Sequence, residues 1–464
     1  MFHAVLVFLG FLAIVAAFLL AFLSQRYWFA RAWRFAGRIH DPAWRKRTRG
    51  ALLAFVSAVG LITLIDVVRN MRGTVSRGSW WVALLGLWLS SSIVSYLFIK
   101  IVKAAEWISY RVRGAYLSRL GATSAPPAPD EPVAHFEGRA EVRHDVRPDF
   151  RLEMINHSRR RFFHAAGILA GAIPFVSAAY GFASERFRFC VRQVELPIPN
   201  LPPGMEGMRI TQLSDIHIGS YMPVAEVRRA VGMANELNGD LTVVTGDFLT
   251  RKNDPLEDCI AELSKLRAPL GVWGCNGNHE IYAKSEAEAA ALFHRYGMKL
   301  LRQEHAELRW QGSAFNLIGV DYQRQSNLDG TPAQMLVGAE NLVRHDVPNI
   351  LLSHNPNSFR RAAELGVELT LAGHTHGGQV RVEILDHRWN PAQFLTPYVA
   401  GIYRRPLYAP SMLTDEKIAS WPIDVGIPAG RSSTIYVNRG LGTIGAPIRL
   451  GVPPEITQIT LRRA

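Results

Sequence analysis

Five short apolar runs in the second half of the chain each lead into a residue able to hold a cation. "QLSDIH" delivers Asp215 and His217, and "TVVTGD" delivers Asp247. "VWGCNGNHE" delivers Asn278, His279 and Glu280, "ILLSHNP" delivers His354, and "LTLAGHTH" delivers His374 and His376. Carboxylate, imidazole and amide oxygen are the donor set that a pair of divalent ions about 3.5–4 Å apart requires, with one carboxylate shared between them. The chemistry such a pair performs is hydrolysis, above all at phosphorus. A lone H-x-H is a weak sign, because short motifs match by chance. The weight lies in five such segments arriving together.

These donors need strands to present them. From Leu201 onward, β-branched runs alternate with helical ones: "MRITQLSD", "DLTVVTGD" and "GVWGCNGNHE" read as strands, and "PVAEVRRAVGMANEL", "PLEDCIAELSKLR" and "KSEAEAAALFHRYG" as helices. Such alternation predicts βαβ units. Further strands are expected at 316–320, 350–353, 368–372, 433–438 and 456–461, in one mixed sheet or two packed ones. Ligands bind at the carboxyl ends of strands in open α/β sheets, so one edge would collect all five segments. The x of "DIH" would put two ligands on one side, and glycines beside Asp247, Asn278 and His374 would supply the sharp turns.

The order D-x-H, G-D, G-N-H-E, H, G-H-x-H resembles the calcineurin-like metallophosphoesterase family, in particular its membrane-associated bacterial phosphodiesterase branch (the YaeI/YkuE type). The resemblance is strong over about residues 205–380 and looser beyond. It implies an α/β fold, a four-layer α/β/β/α metallophosphoesterase sandwich, with two divalent ions (Mn, Fe or Zn) between its sheets. Carried over, Asp215, His217 and His376 hold the first ion, Asp247 bridges, and Asn278, His354 and His374 complete the second. A metal-bound hydroxide is then the nucleophile, and His279 protonates the leaving oxygen. Glu280 stands where the family often has aspartate, and its expected role is to orient His279.

The first third of the chain is different. Ala4–Leu23, Ala51–Val68 and Trp80–Ile99 are apolar runs of bilayer-spanning length, and Ala165–Phe182 is a weaker fourth, interrupted by Pro174. The expected organisation is a three-span region at 1–104, a basic and Pro-rich cytoplasmic loop at 105–163, a fourth span at 164–185 and a metallophosphoesterase domain at 190–464. Arginines crowd the first and third loops, whereas the second carries only Arg69, Arg72 and Arg77. The positive-inside bias places the C-terminal domain on the extracytoplasmic side of a bacterial plasma (inner) membrane. The segment around Ser158, Arg159, Arg160, Phe162 and Phe163 also resembles a twin-arginine export signal, which would make that export machinery a partner. An ordinary basic flank of a fourth span is the alternative.

The 464-residue chain has a formal charge of +13. Residues 1–189 carry +14 of it and residues 190–464 carry −1. The basic excess thus belongs to the membrane region, and no nucleic-acid partner is expected. Cys190, Cys259 and Cys275 have neither zinc-knuckle nor disulfide spacing and are expected as free thiols. The function expected from all this is a membrane-anchored phosphoesterase cleaving phosphodiester or pyrophosphate bonds, with membrane lipids as partners and lipid-linked or envelope substrates favoured by position. The competing readings are a catalytically silent metal-binding sensor or scaffold, and a phosphomonoesterase or nuclease.

Overall fold

The structure is a computed structural model that describes residues 2–71, 80–119, 150–324, 333–384, 387–394, 396–407 and 432–464. Its chain divides into two compact units, Met1–Val68 with Leu84–Ala178, and Arg69–Ala83 with Ala179–Ala464.

The first unit is built from long helices: α1 (Phe2–Gly37), α2 (Pro42–Met71), α3 (Trp80–Arg119) and α4 (Phe150–Ala183). Three stretches, Pro42–Ile65, Trp80–Arg113 and His157–Phe187, are long and apolar enough to cross a membrane. The helices outrun the apolar segments. Arg26, Arg31 and Arg34, expected in the first loop, lie within α1, because nothing between Leu23 and Gly37 breaks a helix. Arg159 and Arg160 lie within α4, which continues through Pro174. The Pro-rich "SAPPAPDEP" at 124–132 falls outside the described residues. Polar side chains tie this unit together: Gln25 Nε2 donates to Ser92 Oγ at 2.7 Å, and Ser95 Oγ donates to the Gly171 carbonyl at 2.7 Å. Ser/Gly contacts of this kind let apolar helices approach closely.

The second unit continues with β1 (Cys190–Ile198), β2 (Arg209–Leu213), α5 (Val224–Glu236), β3 (Leu241–Thr245), α6 (Leu256–Leu263), β4 (Val272–Cys275), α7 (Asn278–Ala283), α8 (Glu286–Arg295) and β5 (Lys299–Leu300). Then follow β6 (Glu304–Trp310), β7 (Ser313–Gly319), β8 (Asn349–Leu352), α9 (Phe359–Leu365), β9 (Leu369–Ala372), β10 (Val382–Ile384), β11 (His387–Trp389), β12 (Gly401–Pro406), β13 (Ser432–Val437) and β14 (Glu455–Arg463). Two six-stranded sheets result, ordered β1-β14-β2-β3-β4-β5 and β12-β13-β9-β8-β7-β6, with β10-β11 a separate ribbon. β2, β3 and β4 run parallel in one sheet, and β7, β8, β9 and β13 run parallel in the other.

Alternation along the strands makes four layers. Ile210, Val243, Trp273, Ile350, Leu371 and Tyr436 meet in a core between the sheets. Leu213 and Val244, facing the other way, pack with Val227, Ile260 and Phe293 of α5, α6 and α8. Leu351 and Ile318 cover the outer face of the second sheet with Ala362 of α9. The expected α/β/β/α sandwich is therefore observed. One strand expectation is corrected: "GVWGCNGNHE" is strand only to Cys275, and Asn278–Ala283 is helix. The Glu280 carboxylate reaches back to the Gly277 amide at 2.7 Å and closes the first helical turn. Strands β1, β6 and β12 lack a clean apolar run and were not anticipated.

Candidate metal centre

The five donor segments follow β2, β3, β4, β8 and β9, so their carboxyl ends come from two facing sheets rather than one edge. Main-chain bonds lock the loops together: Asp215 N donates to the Gly246 carbonyl (3.0 Å), His217 N to the Asp247 carbonyl (2.9 Å) and Gly373 N to the His354 carbonyl (3.1 Å). Asp215, His217, Asp247, His374 and His376 all adopt left-handed backbone, with φ between 50° and 74°. That conformation costs a non-glycine residue about 1–2 kcal/mol and gathers at functional sites. Turning is thus done by the ligands themselves. Gly277 and Gly373 serve close approach instead: a Cβ on Gly277 would lie 2.6 Å from Asp247 N, and one on Gly373 would strike Ser214 Oγ and an Asp215 oxygen.

Three groups of side chains could each hold an ion: Asp215, His217 and His376; Asp247, His354 and His374; and His217, Asp247 and His279. The first two are the expected pair of ligand sets. Asp247 Oδ2 stands 3.5 Å from His217 Nε2 and 3.1 Å from His354 Nε2, between the sets. Asp215 Oδ1 is 3.4 Å from His376 Nε2, and His217 Nε2 is 3.2 Å from His376 Nε2. Donors that share an ion at bonds of about 2.0–2.2 Å lie about 3–3.5 Å apart. Asn278 Oδ1 lies beside the second group, 2.7 Å from His374 Nδ1.

The ring nitrogens test whether ions fit. His354 Nδ1 donates to the Thr245 carbonyl at 2.6 Å, which leaves its buried Nε2 facing Asp247 Oδ2 at 3.1 Å. His217 Nδ1 is engaged by Thr250 Oγ1 at 3.1 Å, which turns Nε2 toward His376 Nε2. Two such nitrogens face each other stably when a cation lies between them. Burial lowers His217 to about 3 and His374 to about 4, and holds His376 well below its usual value. These imidazoles are neutral, as metal ligation needs. Burial also pushes Asp215 up to about 6, against the pull of His354. His354 resists its own desolvation and rises to about 10, because Asp247 and Asp215 face it. An imidazolium there neutralises charge that ions would otherwise neutralise. The residues fit divalent metal.

His279 is half-buried at the rim, its ring 4.7 Å from that of His217 and perpendicular to it. Its Nδ1 faces the Thr250 carbonyl at 2.8 Å, so Nδ1 carries the proton of the neutral ring and Nε2 is left for chemistry. Glu280 does not orient it. The Glu280 carboxylate instead accepts from the amides of Gly277 (2.7 Å), Phe248 (2.8 Å) and Asp247 (2.9 Å), because α7 turns it inward beneath the loop. Its role is to fix the backbone that carries Asp247. Burial, then the neighbouring Asp247 charge, raises Glu280 to about 7.

Several site residues escaped sequence reasoning. Thr250 contacts both His217 and His279. Tyr322 packs 5.4 Å from His374 and, with Tyr282, walls one flank. Asp321, by contrast, is legible at the strand end "IGVDY" as a supporting or turn residue, and it accepts from Asn276 Nδ2 at 2.8 Å and from Arg302, steadying the loop before Gly277. Arg449 is fully buried and donates to the carbonyls of Arg439 (2.9 Å), Gly440 (3.1 Å) and Gly442 (3.2 Å). That segment in turn grips the first donor loop, through Leu441 N to the Ser214 carbonyl and Gly442 N to the Asp215 carbonyl. Arg439 pairs with Glu455 at 3.3 Å. Cys190, Cys259 and Cys275 are free thiols.

Residues 208–378 match the calcineurin-like phosphoesterase family. A Bos taurus transmembrane protein with metallophosphoesterase domain is 28% identical over 448 residues, covering 91% of this chain and 91% of that one. The Bacillus subtilis metallophosphoesterase YkuE is 28% identical over 311 residues, covering 66% of this chain and 98% of that protein. A Danio rerio transmembrane protein with metallophosphoesterase domain is 28% identical over 309 residues, covering 64% and 63%. Sequence match, two-sheet frame and donor set agree: the chain carries a calcineurin-like metallophosphoesterase domain, that of a phosphoric ester hydrolase.

Proposed function

We propose that the protein is a membrane-anchored hydrolase of phosphodiester or pyrophosphate bonds, working with two divalent ions. Asp215, His217 and His376 would hold one ion, Asn278, His354 and His374 the other, and Asp247 both. When bound, the ions would supply charge to the phosphoryl oxygens and activate water. The chain's own part is positioning and proton transfer. Glu280 and the two sheets hold Asp247 in place, and Thr250 fixes the tautomer and direction of His279. In its imidazolium form, with Nδ1–H kept on the Thr250 carbonyl, His279 would deliver the Nε2 proton to the leaving oxygen and be left as the neutral ring.

The observation that carries this reading is Asp247 Oδ2 between His217 and His354. Intact His279 favours turnover over a silent metal sensor, which needs no leaving-group acid. The helices long enough to cross a membrane favour lipid-linked or envelope substrates. The arginine-rich helix ends, including Arg159 and Arg160, favour a bacterial inner-membrane setting with the domain outside. Protein reconstituted with Mn, Fe or Zn should hydrolyse bis(p-nitrophenyl) phosphate, and Asp247→Asn should lower the rate by about 100-fold or more, as lost transition-state charge stabilisation does. No hydrolysis with any of these metals, or an unaffected variant, would overturn the reading.

A further inference from the structure

Beside His217 and His279 lies a cavity of about 320 Å³, walled also by Tyr221, Thr250, Arg251 and Ile444. His279, the leaving-group acid of the proposed function, is part of its wall, so a leaving group would stand at this cavity. Its far wall is tied to the ends of two apolar helices. The Tyr221 ring sits edge-on to Trp80 with centroids 5.3 Å apart, and Trp80 sits edge-on to Phe182 at 5.7 Å. Arg186, almost completely buried, lies 4.5 Å from the Phe182 ring, 4.2 Å from Phe187 and 5.3 Å from Trp80, and donates to the Tyr221 carbonyl at 3.3 Å. All these residues belong to one compact unit.

Trp80 opens the apolar stretch Trp80–Arg113, and Phe182 and Phe187 close the stretch His157–Phe187. Aromatic residues at such ends settle at headgroup depth. A cavity whose wall is Tyr221 set edge-on against Trp80 therefore meets the bilayer surface, not bulk water alone. Arg251 is exposed at the cavity, where its main chain is fixed by Asp254: Thr250 N and Arg251 N both donate to Asp254 Oδ2, at 3.0 and 2.7 Å. Guanidinium beside a bilayer attracts anionic headgroups.

We infer that this cavity is the headgroup subsite for a lipid-anchored phosphodiester, with Tyr221 and Arg251 reading the headgroup and the acyl chains lying toward Trp80 and Phe182. Hydrolysis there forms one P–O bond to water and breaks one P–O bond to an alcohol oxygen, which leaves protonated. This rests on the phosphodiesterase reading above and specifies its substrate class.

The test uses the full chain reconstituted in phosphatidylcholine bilayers, with bis(p-nitrophenyl) phosphate as the reporter. Adding phosphatidylglycerol to the bilayer should lower the apparent kcat/KM for the reporter about tenfold, whether the lipid is cleaved or only held. Its deacylated counterpart, glycerophosphoglycerol, at the same bulk concentration should do nothing. Tyr221→Ala and Arg251→Glu should each relieve the lipid competition, and so should Trp80→Ala, which leaves the cavity lining intact. Equal inhibition by lipid and deacylated compound, no inhibition by either, or competition untouched by all three variants would overturn the inference while leaving the phosphodiesterase reading in place. Loss of reporter hydrolysis in the parent protein would overturn both.

Discussion

Gly277→Ala tests the packing of the centre with the smallest possible addition. Gly277 has φ −95°, a conformation open to any residue, so backbone strain plays no part. The added Cβ would lie 2.6 Å from Asp247 N and 2.8 Å from Asp247 Cγ, and ordinary contact begins at 3.4 Å. Asp247, whose Oδ1 the Cβ would strike more closely still, must therefore retreat by at least about 0.8 Å, or Gly277 must move and loosen the Glu280 bond to its amide. Overpacking of this size costs about 1–3 kcal/mol of stability. Its effect on turnover should be larger in proportion, because a misplacement near 1 Å of a positioning group costs about 100-fold. The assay pairs kcat for bis(p-nitrophenyl) phosphate with bound metal per chain and a thermal unfolding curve. A folded variant with kcat down about 10- to 100-fold and weakened metal retention is expected. Gly232→Ala, inside α5 with open space around its Cβ, is the control and should gain about 0.5–1 kcal/mol. A Gly277→Ala protein with full metal content and kcat within about threefold of the parent would refute the claim that Asp247 is rigidly seated.

Three further outcomes are expected. His279→Gln should keep both ions yet lose about 100- to 10,000-fold in kcat, the range of general acid catalysis, and the loss should shrink for esters with good leaving groups such as p-nitrophenol. Arg449→Met should destabilise the domain by about 3–5 kcal/mol in denaturant titration, since the carbonyls of Arg439, Gly440 and Gly442 lose a shared buried donor. Burial raises Glu368 to about 7, against amide donation from Asn349 at 2.8 Å. A carboxyl group raised in the folded state contributes stability that is full below about pH 4.5 and is lost as pH climbs through 7. Unfolding free energy should therefore fall by up to about 3 kcal/mol over that window, and Glu368→Gln should flatten the slope.

The donor set was legible because it is carried by local sequence: each ligand stands within a few residues of an apolar strand, and the donor segments follow one another along the chain. The two-sheet arrangement followed from the family resemblance more than from pattern, since short strands such as β8 and β9 read the same in one sheet or two. The mechanism of presentation was not legible. Left-handed backbone at Asp215, His217 and Asp247 is imposed by loop-to-loop hydrogen bonds between segments about 30 residues apart. Thr250, Tyr322 and Arg449 carry no motif and reach the centre only through the fold. Glu280 was expected to face His279 because the two are adjacent in "NHE". On a helix neighbouring residues point about 100° apart, and α7 turns Glu280 beneath the loop while His279 stays at the rim. In the N-terminal third, apolar composition pointed to long helices, three stretches of which are apolar enough to cross a membrane, but helix length did not follow from it, since arginine is as good a helix former as leucine.

The central claim is that Asp247 is shared by two ions at one cluster. Manganese-loaded protein examined by electron paramagnetic resonance, with metal counted per chain, tests it most directly. Two ions per chain with the exchange-coupled signal of a pair about 3.5–4 Å apart, collapsing to an uncoupled signal in Asp247→Ala, is the predicted result. A single uncoupled ion in the parent protein, or a coupled pair that survives loss of the Asp247 carboxylate, would contradict the account.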